Sequence, residues 1–274
     1  MTDIPIPAGY AVEELTPTAW AIDDAADESM YLVKGSRRAL LIDTGSDDSS
    51  PLLLAEALCG RKPDLALTHA HFDHMYHADE FKTVYLHRKD IAAWNLLRPA
   101  VTLGSIGSGK KWKHFPVRQY LPLKNGDVID LGDKTIRVVD AFGHTPGSVV
   151  FVDEADRLVF AGDAFGSGAY AWMWLPGSLC LSEYKASLEK LVRELEPCAD
   201  FRFLGGHRRQ SIPTESNPHG HELSLTTARD MIALCEKLLS GGCTPDETER
   251  NFGIKTDVYY HGLAGIVLTD RKIR

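Results

Sequence analysis

The sequence lacks the features that mark an exported or membrane-spanning protein. The N-terminal segment from Met1 to Pro7 contains neither a basic stretch nor an apolar one, so we expect no secretory signal. No apolar run reaches the roughly 20 residues that a transmembrane helix needs. The five cysteines are odd in number and form no Cys-x-x-Cys pair, which predicts reduced thiols in a cytoplasmic protein.

An excess of positive charge is also missing. The chain carries 30 lysine and arginine residues against 38 acidic ones, which gives a formal net charge of −8. Nucleic-acid-binding proteins usually have a basic balance, so we expect neither a nucleic-acid partner nor a membrane partner. The hydrophobic content of 44% is ordinary, and the 274 residues contain no repeat and no linker. We predict a single domain over residues 1–274 that acts on a small molecule, with a homodimer as an open option.

A metal-binding pattern is present where a serine nucleophile motif is not. The sequence has no Gly-x-Ser-x-Gly elbow, but four metal-capable side chains fall within six positions, at His69, His71, Asp73 and His74. They follow the apolar segment from Asp64 to Leu67, which is typical of a buried strand. Imidazole and carboxylate ligands suit zinc and are accepted by iron or manganese. A polar loop with chance histidines is the alternative, but such residues rarely gather where nothing binds.

Helix and strand patterns alternate around this stretch. Ser50 and Pro51 predict the start of a helix and Gly60 its end, just before the strand that leads to His69. Apolar residues at helical spacing predict a second helix from Leu181 to Glu196, and a third covers residues 222–240. The predicted strands include Met30–Lys34, Ala39–Ile42, Lys134–Val139, Val149–Val152, Leu158–Phe160, Phe201–Leu204, Val258–Tyr260 and Ile266–Leu268. This order favours an α/β fold.

Five short motifs occur in a fixed order along the chain. They are Leu41-Ile42-Asp43-Thr44-Gly45, His69-Ala70-His71-Phe72-Asp73-His74, Gly143-His144-Thr145-Pro146-Gly147, Gly162-Asp163 and Gly205-Gly206-His207. Together they resemble the signature of the metallo-β-lactamase-fold superfamily over residues 29–210, and in particular its glyoxalase-II-like branch. The resemblance implies a four-layer αββα sandwich, with two mixed β-sheets inside and helices on the outer faces.

The resemblance also implies which side chains hold metal. The expected ligands are His69, His71 and His144 for a first ion, Asp73, His74 and His207 for a second, and Asp163 as a bridge between them. We therefore expect two zinc ions per chain, with iron or manganese as alternatives. A hydroxide between the ions would attack the substrate, and the catalytic Asp73 would orient it and take part in proton transfer. Asp43, at a strand end, would hold a histidine tautomer, although a turn-forming aspartate is the alternative.

Several bulky side chains are candidates for a substrate pocket. Relatives commonly carry two glycines just after the loop histidines, where this chain has Tyr76 and His77; these either contact the substrate or pack beneath the loop. Strand-like alternation would place Tyr170, Trp172 and Trp174 on one face, either as a pocket wall or as core.

Residues 98–120 form the most irregular part of the sequence. Glycines are followed here by Lys110-Lys111-Trp112-Lys113-His114, a basic and aromatic tip. A long segment of this kind predicts a lid insertion over the metal site, with lysines that could attract an anionic substrate. His114 is a further pocket candidate, and a solvated surface loop is the alternative.

The sequence indicates hydrolysis but leaves the substrate open. We expect a dinuclear zinc hydrolase that cleaves a small ester, thioester or lactone. Asp163 disfavours a true β-lactamase, whose sites lack that aspartate, and Arg208 to Pro213 do not match the glutathione-binding tail of glyoxalase II. The alternatives are phosphodiester or β-lactam hydrolysis at the same site and an iron-dependent oxidoreductase similar to a persulfide dioxygenase. A regulatory protein without activity is disfavoured because the expected ligand set is intact.

Overall fold

The largest part of the fold is a seven-stranded mixed sheet. The computed structural model describes residues 4–96, 119–215, 217–241 and 243–273. In this sheet the strands lie side by side in chain order, antiparallel from the first to the fourth and parallel from the fourth to the seventh. They are β1 (Ala11–Thr16), β2 (Ala19–Asp23), β3 (Ser29–Lys34), β4 (Ala39–Ile42), β5 (Asp64–Ala66), β6 (Val84–His87) and β7 (Leu121–Leu123).

A five-stranded mixed sheet faces the first one. Its strands are β8 (Val128–Asp130), β9 (Thr135–Asp140), β10 (Val149–Asp153), β11 (Leu158–Gly162) and β13 (Arg202–Gly205). The order in space is β13-β11-β10-β9-β8, and β13 joins β11 in parallel while the remaining pairs are antiparallel. Because β11 and β13 run in the same direction, the residues that follow them meet at one edge of the sheet.

Helices cover the outer faces of both sheets. They are α1 (Pro51–Cys59), α2 (Phe72–Met75), α3 (residues 88–96), α4 (Leu181–Leu195) and α5 (Leu225–Ser240). The side chain of Ser50 caps α1 by accepting from the N–H of Leu52, and Gly60 ends it in the left-handed conformation with φ of 76°. Short 3-10 turns occur at Ala78–Glu80, Glu196–Cys198, Arg208–Ser211 and Asp270–Lys272.

Strand alternation divides the buried side chains among the layers. Along β3, Tyr31 and Val33 face the second sheet, whereas Met30 and Leu32 face the core beneath α1. In the second sheet, Val138 and Phe151 pack into the space between the sheets, and neighbouring residues of the same strands pack against α4 and α5. The result is the four-layer αββα arrangement that the sequence predicts, and that prediction of the fold is confirmed.

A third sheet is an addition that the sequence prediction did not contain. The closing strands predicted near the C-terminus are present, but they form their own mixed sheet with the order β12-β16-β15-β14. Its strands are β12 (Ala171–Trp172), β14 (Glu247–Asn251), β15 (Ile254–His261) and β16 (Ala264–Leu268). The short strand β12 pairs in parallel with β16 and therefore connects this sheet to the segment after Asp163.

Some of the predictions concern residues that cannot be compared with the structure. The predicted lid at residues 98–120 lies outside the described residues, apart from 119 and 120, and so does His114. The single domain, the homodimer and the cytoplasmic location stay predictions. Among the residues that the structure describes, no helix has both the length and the apolar character that crossing a membrane requires.

Candidate metal centre

The histidine-rich loop lies at the carboxyl end of a central parallel strand. β5 ends at Ala66, and α2 begins at Phe72 with His71 in the N-cap position. His69 and His71 therefore precede the helix, whereas Asp73 and His74 lie in its first turn. A rigid strand on one side and a helical turn on the other fix the directions of these four side chains, as a site with defined geometry requires.

The second sheet carries the three more distant residues to the same place. His144 lies in the turn between β9 and β10, Asp163 directly follows β11, and His207 follows β13. The approach is close enough that a Cβ at Gly206 would lie 2.5 Å from Asp163 Oδ1 and 2.6 Å from His74 Cε1. Glycine is therefore required before His207, because any larger residue would collide with the centre.

Asp163 is the geometric middle of the cluster. Its Oδ2 lies 3.6 Å from His74 Nε2, 3.7 Å from His144 Nε2 and 3.4 Å from His207 Nε2. Asp73 Oδ2 lies 3.6 Å from His74 Nε2 and 3.7 Å from His207 Nε2. Two ligands of one tetrahedral zinc, each about 2.0–2.2 Å from it, lie roughly 3.4 Å apart. The spacing therefore fits donor atoms that share a cation.

The donor atoms form three overlapping groups, and within each group all of them lie within 4.8 Å of one another. The groups are His69, His71 and His144; His69, His74 and Asp163; and Asp73, His74 and His207. The Nε2 atoms of His69, His74 and His144 are buried and have no hydrogen-bond partner among the residues that the structure describes. Such nitrogens are costly to bury alone, whereas imidazole and carboxylate donors together suit a divalent cation. The residues present thus fit a metal centre, and Asp163 lies between the two outer groups.

Backbone carbonyls orient two of the imidazoles. His144 donates from Nδ1 to the carbonyl of Trp172 at 2.8 Å, and His207 donates from Nδ1 to the carbonyl of Asp27 at 3.0 Å. Because a carbonyl can only accept, each Nδ1 carries a hydrogen, and Nε2 is the ring nitrogen that faces the centre. Asp27 has φ of 77°, a conformation unusual for a residue other than glycine. The unusual backbone conformation thus occurs at the residue whose carbonyl orients His207.

Asp43 holds the loop from behind. It has φ of 61° at the end of β4, and its Oδ2 lies 3.0 Å from His74 Nδ1. The same carboxylate accepts from the Thr68 N–H at 2.8 Å and the Thr68 hydroxyl at 2.7 Å. That hydroxyl lies 3.0 Å from His69 Nδ1. One buried carboxylate thus contacts His74 directly and His69 through Thr68, the contact with a histidine that the sequence led us to expect.

Asp90 is a residue of the site that the sequence analysis missed. It is fully buried and accepts from the Ala70 N–H at 2.8 Å, the Gly147 N–H at 2.6 Å and the Thr145 hydroxyl at 2.8 Å. Burial raises the pKa of its carboxyl to about 6. Asp90 therefore joins the histidine-rich loop to the turn that carries His144. Its position near the start of a helix is common for aspartate, so the sequence contained no signal of this role.

The imidazoles of the first group are held neutral. Burial, together with the neighbouring imidazoles, lowers the pKa of His69 well below its usual value and the pKa of His71 to about 3. Burial also lowers the pKa of His144. Neutral imidazoles have free lone pairs, so this group is ready to bind a cation without releasing protons.

Carboxylates determine the charge around the group of Asp73, His74 and His207, which Asp163 adjoins. Burial opposes ionisation of Asp73 and Asp163, but the adjacent His74 and His207 outweigh it and lower the pKa of both carboxyls. Against the cost of burial, Asp163 raises the pKa of His207 to about 9, and Asp73 with Asp163 raises the pKa of His74. The negative charge here is balanced by protons on two imidazoles, and a bound cation would take the place of those protons.

A cleft of about 670 Å³ opens onto the centre. Of the predicted pocket residues, Tyr170 and Trp172 line it. The structure places others elsewhere: Trp174 is buried, Tyr76 packs against the core beneath α1, and buried His77 lies 2.9 Å from both Glu80 Oε1 and the Asp47 carbonyl. The cleft also has apolar lining residues that the sequence analysis missed, including Phe72, Trp94, Leu175, Pro176 and Phe252.

Comparisons with known proteins identify the family of this chain. The sequence model of the metallo-beta-lactamase superfamily matches residues 24–234. Acyl-coenzyme A thioesterase MBLAC2 of Gallus gallus is 34% identical over 202 residues, which cover 65% of this chain and 72% of that protein. A hydroxyacylglutathione hydrolase of Rhodopseudomonas palustris is 29% identical over 191 residues, 62% of this chain and 68% of that protein. The solved structure of TTHA1623 in a di-iron-bound form has a TM-score of 0.53 at 28% identity, and covers 74% of this chain and 93% of that one.

Proposed function

We propose, on the premise that this chain belongs to the metallo-beta-lactamase superfamily and is a metal-dependent hydrolase, that it cleaves a thioester with two zinc ions. The observation that carries the proposal is the position of Asp163. Its Oδ2 faces imidazole nitrogens of both outer groups, His144 at 3.7 Å on one side and His207 at 3.4 Å on the other. A carboxylate oxygen in this position is suited to bridge two cations.

The proposal keeps the division of ligands that the superfamily resemblance implies. His69, His71 and His144 would hold one ion, Asp73, His74 and His207 the other, and Asp163 both. When bound, two divalent cations supply the acidity that ionises water near neutral pH and the positive charge that polarises a carbonyl.

Asp73 has the properties of the acceptor in proton transfer. Asp73 lines the cleft, its Oδ2 lies 3.7 Å from His207 Nε2, and the nearby imidazoles lower the pKa of its carboxyl, so that the group is ionised. An ionised carboxylate in this place can orient a water molecule and accept its proton. With metal bound, Asp43 and the carbonyls of Trp172 and Asp27 would keep the imidazoles of His74, His144 and His207 in one tautomer.

The choice of a thioester over an ester or lactone is supported by the relatives. MBLAC2 is named as an acyl-coenzyme A thioesterase, and a hydroxyacylglutathione is also a thioester. The cleft beside the centre is lined mainly by aromatic and aliphatic side chains, which suit the apolar acyl part of such a substrate.

The test combines metal analysis with a substrate panel. Purified protein should contain two equivalents of zinc, and it should hydrolyse acyl thioesters at least tenfold faster than matched esters, lactones, phosphodiesters or a chromogenic cephalosporin. Metal binding should also stabilise the fold, by about 4 kcal/mol when free zinc is 1,000 times its Kd. Protein that binds no metal, or that cleaves a phosphodiester or cephalosporin best, would overturn the proposal.

An iron-dependent oxidation is the second candidate. TTHA1623 was solved in a di-iron-bound form at 28% identity, and the donor set here contains no cysteine, so it would accept iron as well as zinc. Purified protein that contains iron and consumes oxygen with a persulfide, but does not hydrolyse thioesters, would favour this candidate.

A further inference from the structure

The tip of the β14–β15 hairpin contains an unusual residue. Asn251 pairs with Ile254, so the connection between the strands consists of Phe252 and Gly253 alone. Their φ values are 49° and 80°, both in the left-handed region. Two-residue turns of this type strongly favour asparagine followed by glycine, because asparagine tolerates positive φ and phenylalanine does not.

The side chain of Phe252 is also in an unfavourable environment. It is 85% exposed, the most exposed large hydrophobic side chain among the described residues. The turn would be more stable with a small polar residue, and the fold gains little from this ring. Local strain and an exposed apolar side chain at one position indicate that the residue serves a purpose other than folding.

The ring of Phe252 completes a wall of the cleft. Its centroid lies 6.5 Å from that of Trp172 and 6.1 Å from that of Trp174, and the two tryptophans are 5.8 Å apart. Phe252 and Trp172 line the same cleft as Asp163. The carbonyl of Trp172 accepts the hydrogen bond from His144, so this aromatic wall is attached directly to the expected metal ligands.

The hairpin lies outside the part of the chain that matches the superfamily. The match covers residues 24–234, whereas β14 begins at Glu247. The aromatic wall therefore combines Trp172, within the matched region, with Phe252, beyond it. An element beyond the matched region is well placed to adapt one chain to its own substrate.

We propose that this wall binds the acyl chain of the substrate and that Phe252 is a specificity-determining residue. The inference rests on the proposed thioesterase function and extends it by selecting thioesters with extended apolar acyl groups. The acyl half is the better occupant of this wall, because the wall consists of the rings of Phe252, Trp172 and Trp174, which suit an apolar chain rather than a charged thiol carrier.

The first test measures how the rate depends on acyl length. Acetyl, butyryl, hexanoyl and octanoyl thioesters of one small thiol, N-acetylcysteamine, keep the polar half constant. If each buried methylene contributes about 0.8 kcal/mol, kcat/KM of the wild type should rise about threefold to fourfold per methylene. In Phe252→Asn, kcat/KM should rise only about twofold or less per methylene. The ratio of kcat/KM for the octanoyl thioester to kcat/KM for the acetyl thioester should therefore fall at least tenfold.

The variant is chosen so that it cannot fail merely by unfolding. Asparagine followed by glycine is the preferred sequence for this turn, so Phe252→Asn should unfold at the same temperature as the wild type or a higher one. The matched control is Ile254→Thr, which removes another exposed apolar side chain from the same hairpin, 49% exposed and outside the cleft lining. It should leave the octanoyl-to-acetyl ratio of the wild type unchanged.

A binding measurement tests the role of Phe252 independently of the proposed thioester hydrolysis. The octyl thioether of N-acetylcysteamine cannot be hydrolysed, and its binding to protein without added metal should change tryptophan fluorescence through Trp172. Phe252→Asn should weaken that binding at least tenfold. If the wild type and Phe252→Asn had the same octanoyl-to-acetyl ratio of kcat/KM and bound the octyl thioether equally well, the proposed role of Phe252 would be overturned. If instead the thioether binds as expected but no thioester is cleaved, the proposed function fails and the apolar binding surface stands.

Discussion

The metal centre and the aromatic wall of the cleft are built in opposite ways. At the centre, His69, His74 and His144 are buried, and hydrogen bonds to Thr68, Asp43 and the Trp172 carbonyl fix their orientations. In the wall, Phe252 is 85% exposed and is held by ring contacts at about 6 Å. The centre lies within the superfamily match, and the tip of the wall lies beyond it.

The difference reflects what each region must do. Donor atoms around a cation must be correct to within a fraction of an ångström, which demands burial and a hydrogen bond behind each ligand. An apolar chain has no such directional need, and a few rings on a hairpin can bind it. Substitutions in the two regions should therefore have effects of different size and kind.

The largest effect is expected at Asp73. Replacing Asp73 by asparagine removes the negative charge that faces His207 and should lower kcat about 100-fold to 1,000-fold, a range typical for one electrostatic group in an active site. Steady-state kinetics would measure this, with circular dichroism to verify the fold. Asp27→Asn is the matched control, because Asp27 contacts His207 through its backbone carbonyl, which the substitution keeps, and asparagine tolerates the positive φ at this position. This variant should lower kcat by less than about threefold. An unchanged rate in Asp73→Asn would refute the assigned role.

A smaller effect is expected at Asp43, which contacts the Nδ1 atom of the expected ligand His74. Asp43→Asn keeps a residue that accepts positive φ but removes the charge next to His74 Nδ1. Substitutions of this kind typically weaken metal affinity about 10-fold to 100-fold. Competition with a chromogenic zinc chelator would measure the zinc dissociation constants of the wild type and of Asp43→Asn. If the affinity were equal in both proteins, Asp43 would be a turn residue without influence on the centre.

The stability of the fold should also depend on pH, through the buried residue Glu28. This residue is 7% exposed, and burial with Asp24 beside it raises the pKa of its carboxyl to about 8, from 4.5 in the unfolded chain. Between these two values the folded protein keeps a proton that the unfolded chain has lost. The contribution of Glu28 to the stability of the wild type should therefore fall by about 1.4 kcal/mol, or tenfold in the folding equilibrium, per pH unit as pH rises, and level off above about pH 8.

Glu28→Gln isolates this contribution, because glutamine resembles the protonated acid. Urea unfolding of both proteins from pH 5 to pH 9 should give a difference that grows with pH in favour of the variant. Parallel curves for the two proteins would show that Glu28 keeps an ordinary pKa in the folded state.

The smallest effect is expected at Tyr170, which lines the same cleft as the wall. Tyr170→Phe removes only the hydroxyl and keeps the ring that lines the cleft. If the residue acts as a surface for an apolar group, kcat should change by less than about threefold, since little apolar area is lost. A decrease of 100-fold or more would mean that the hydroxyl takes part in the reaction, and the contrast between chemical centre and passive wall would no longer hold.

The sequence was most informative where the signal is local and periodic. The helix from Leu181 could be predicted from apolar spacing, and α1 from Ser50, Pro51 and Gly60, because these patterns act over a few neighbouring residues. The α/β class followed from the order of such elements. The third sheet could not be predicted, because the pairing of β12 with β16 joins residues about 95 positions apart, which no local pattern encodes.

For the site, the sequence by itself determined the types of donor, the imidazoles and carboxylates of the His69–His74 loop, and the family resemblance added His144, Asp163 and His207, each beside a strand end or a glycine turn. Only the tertiary structure decided how they are used. It placed Asp163 within 3.7 Å of three imidazoles, assigned Asp90 to hold two loops together, buried Trp174 and His77, and brought Phe252 to the cleft. The reason is physical: residue type limits which bonds a side chain can form, whereas distance and burial depend on contacts between segments far apart in the chain.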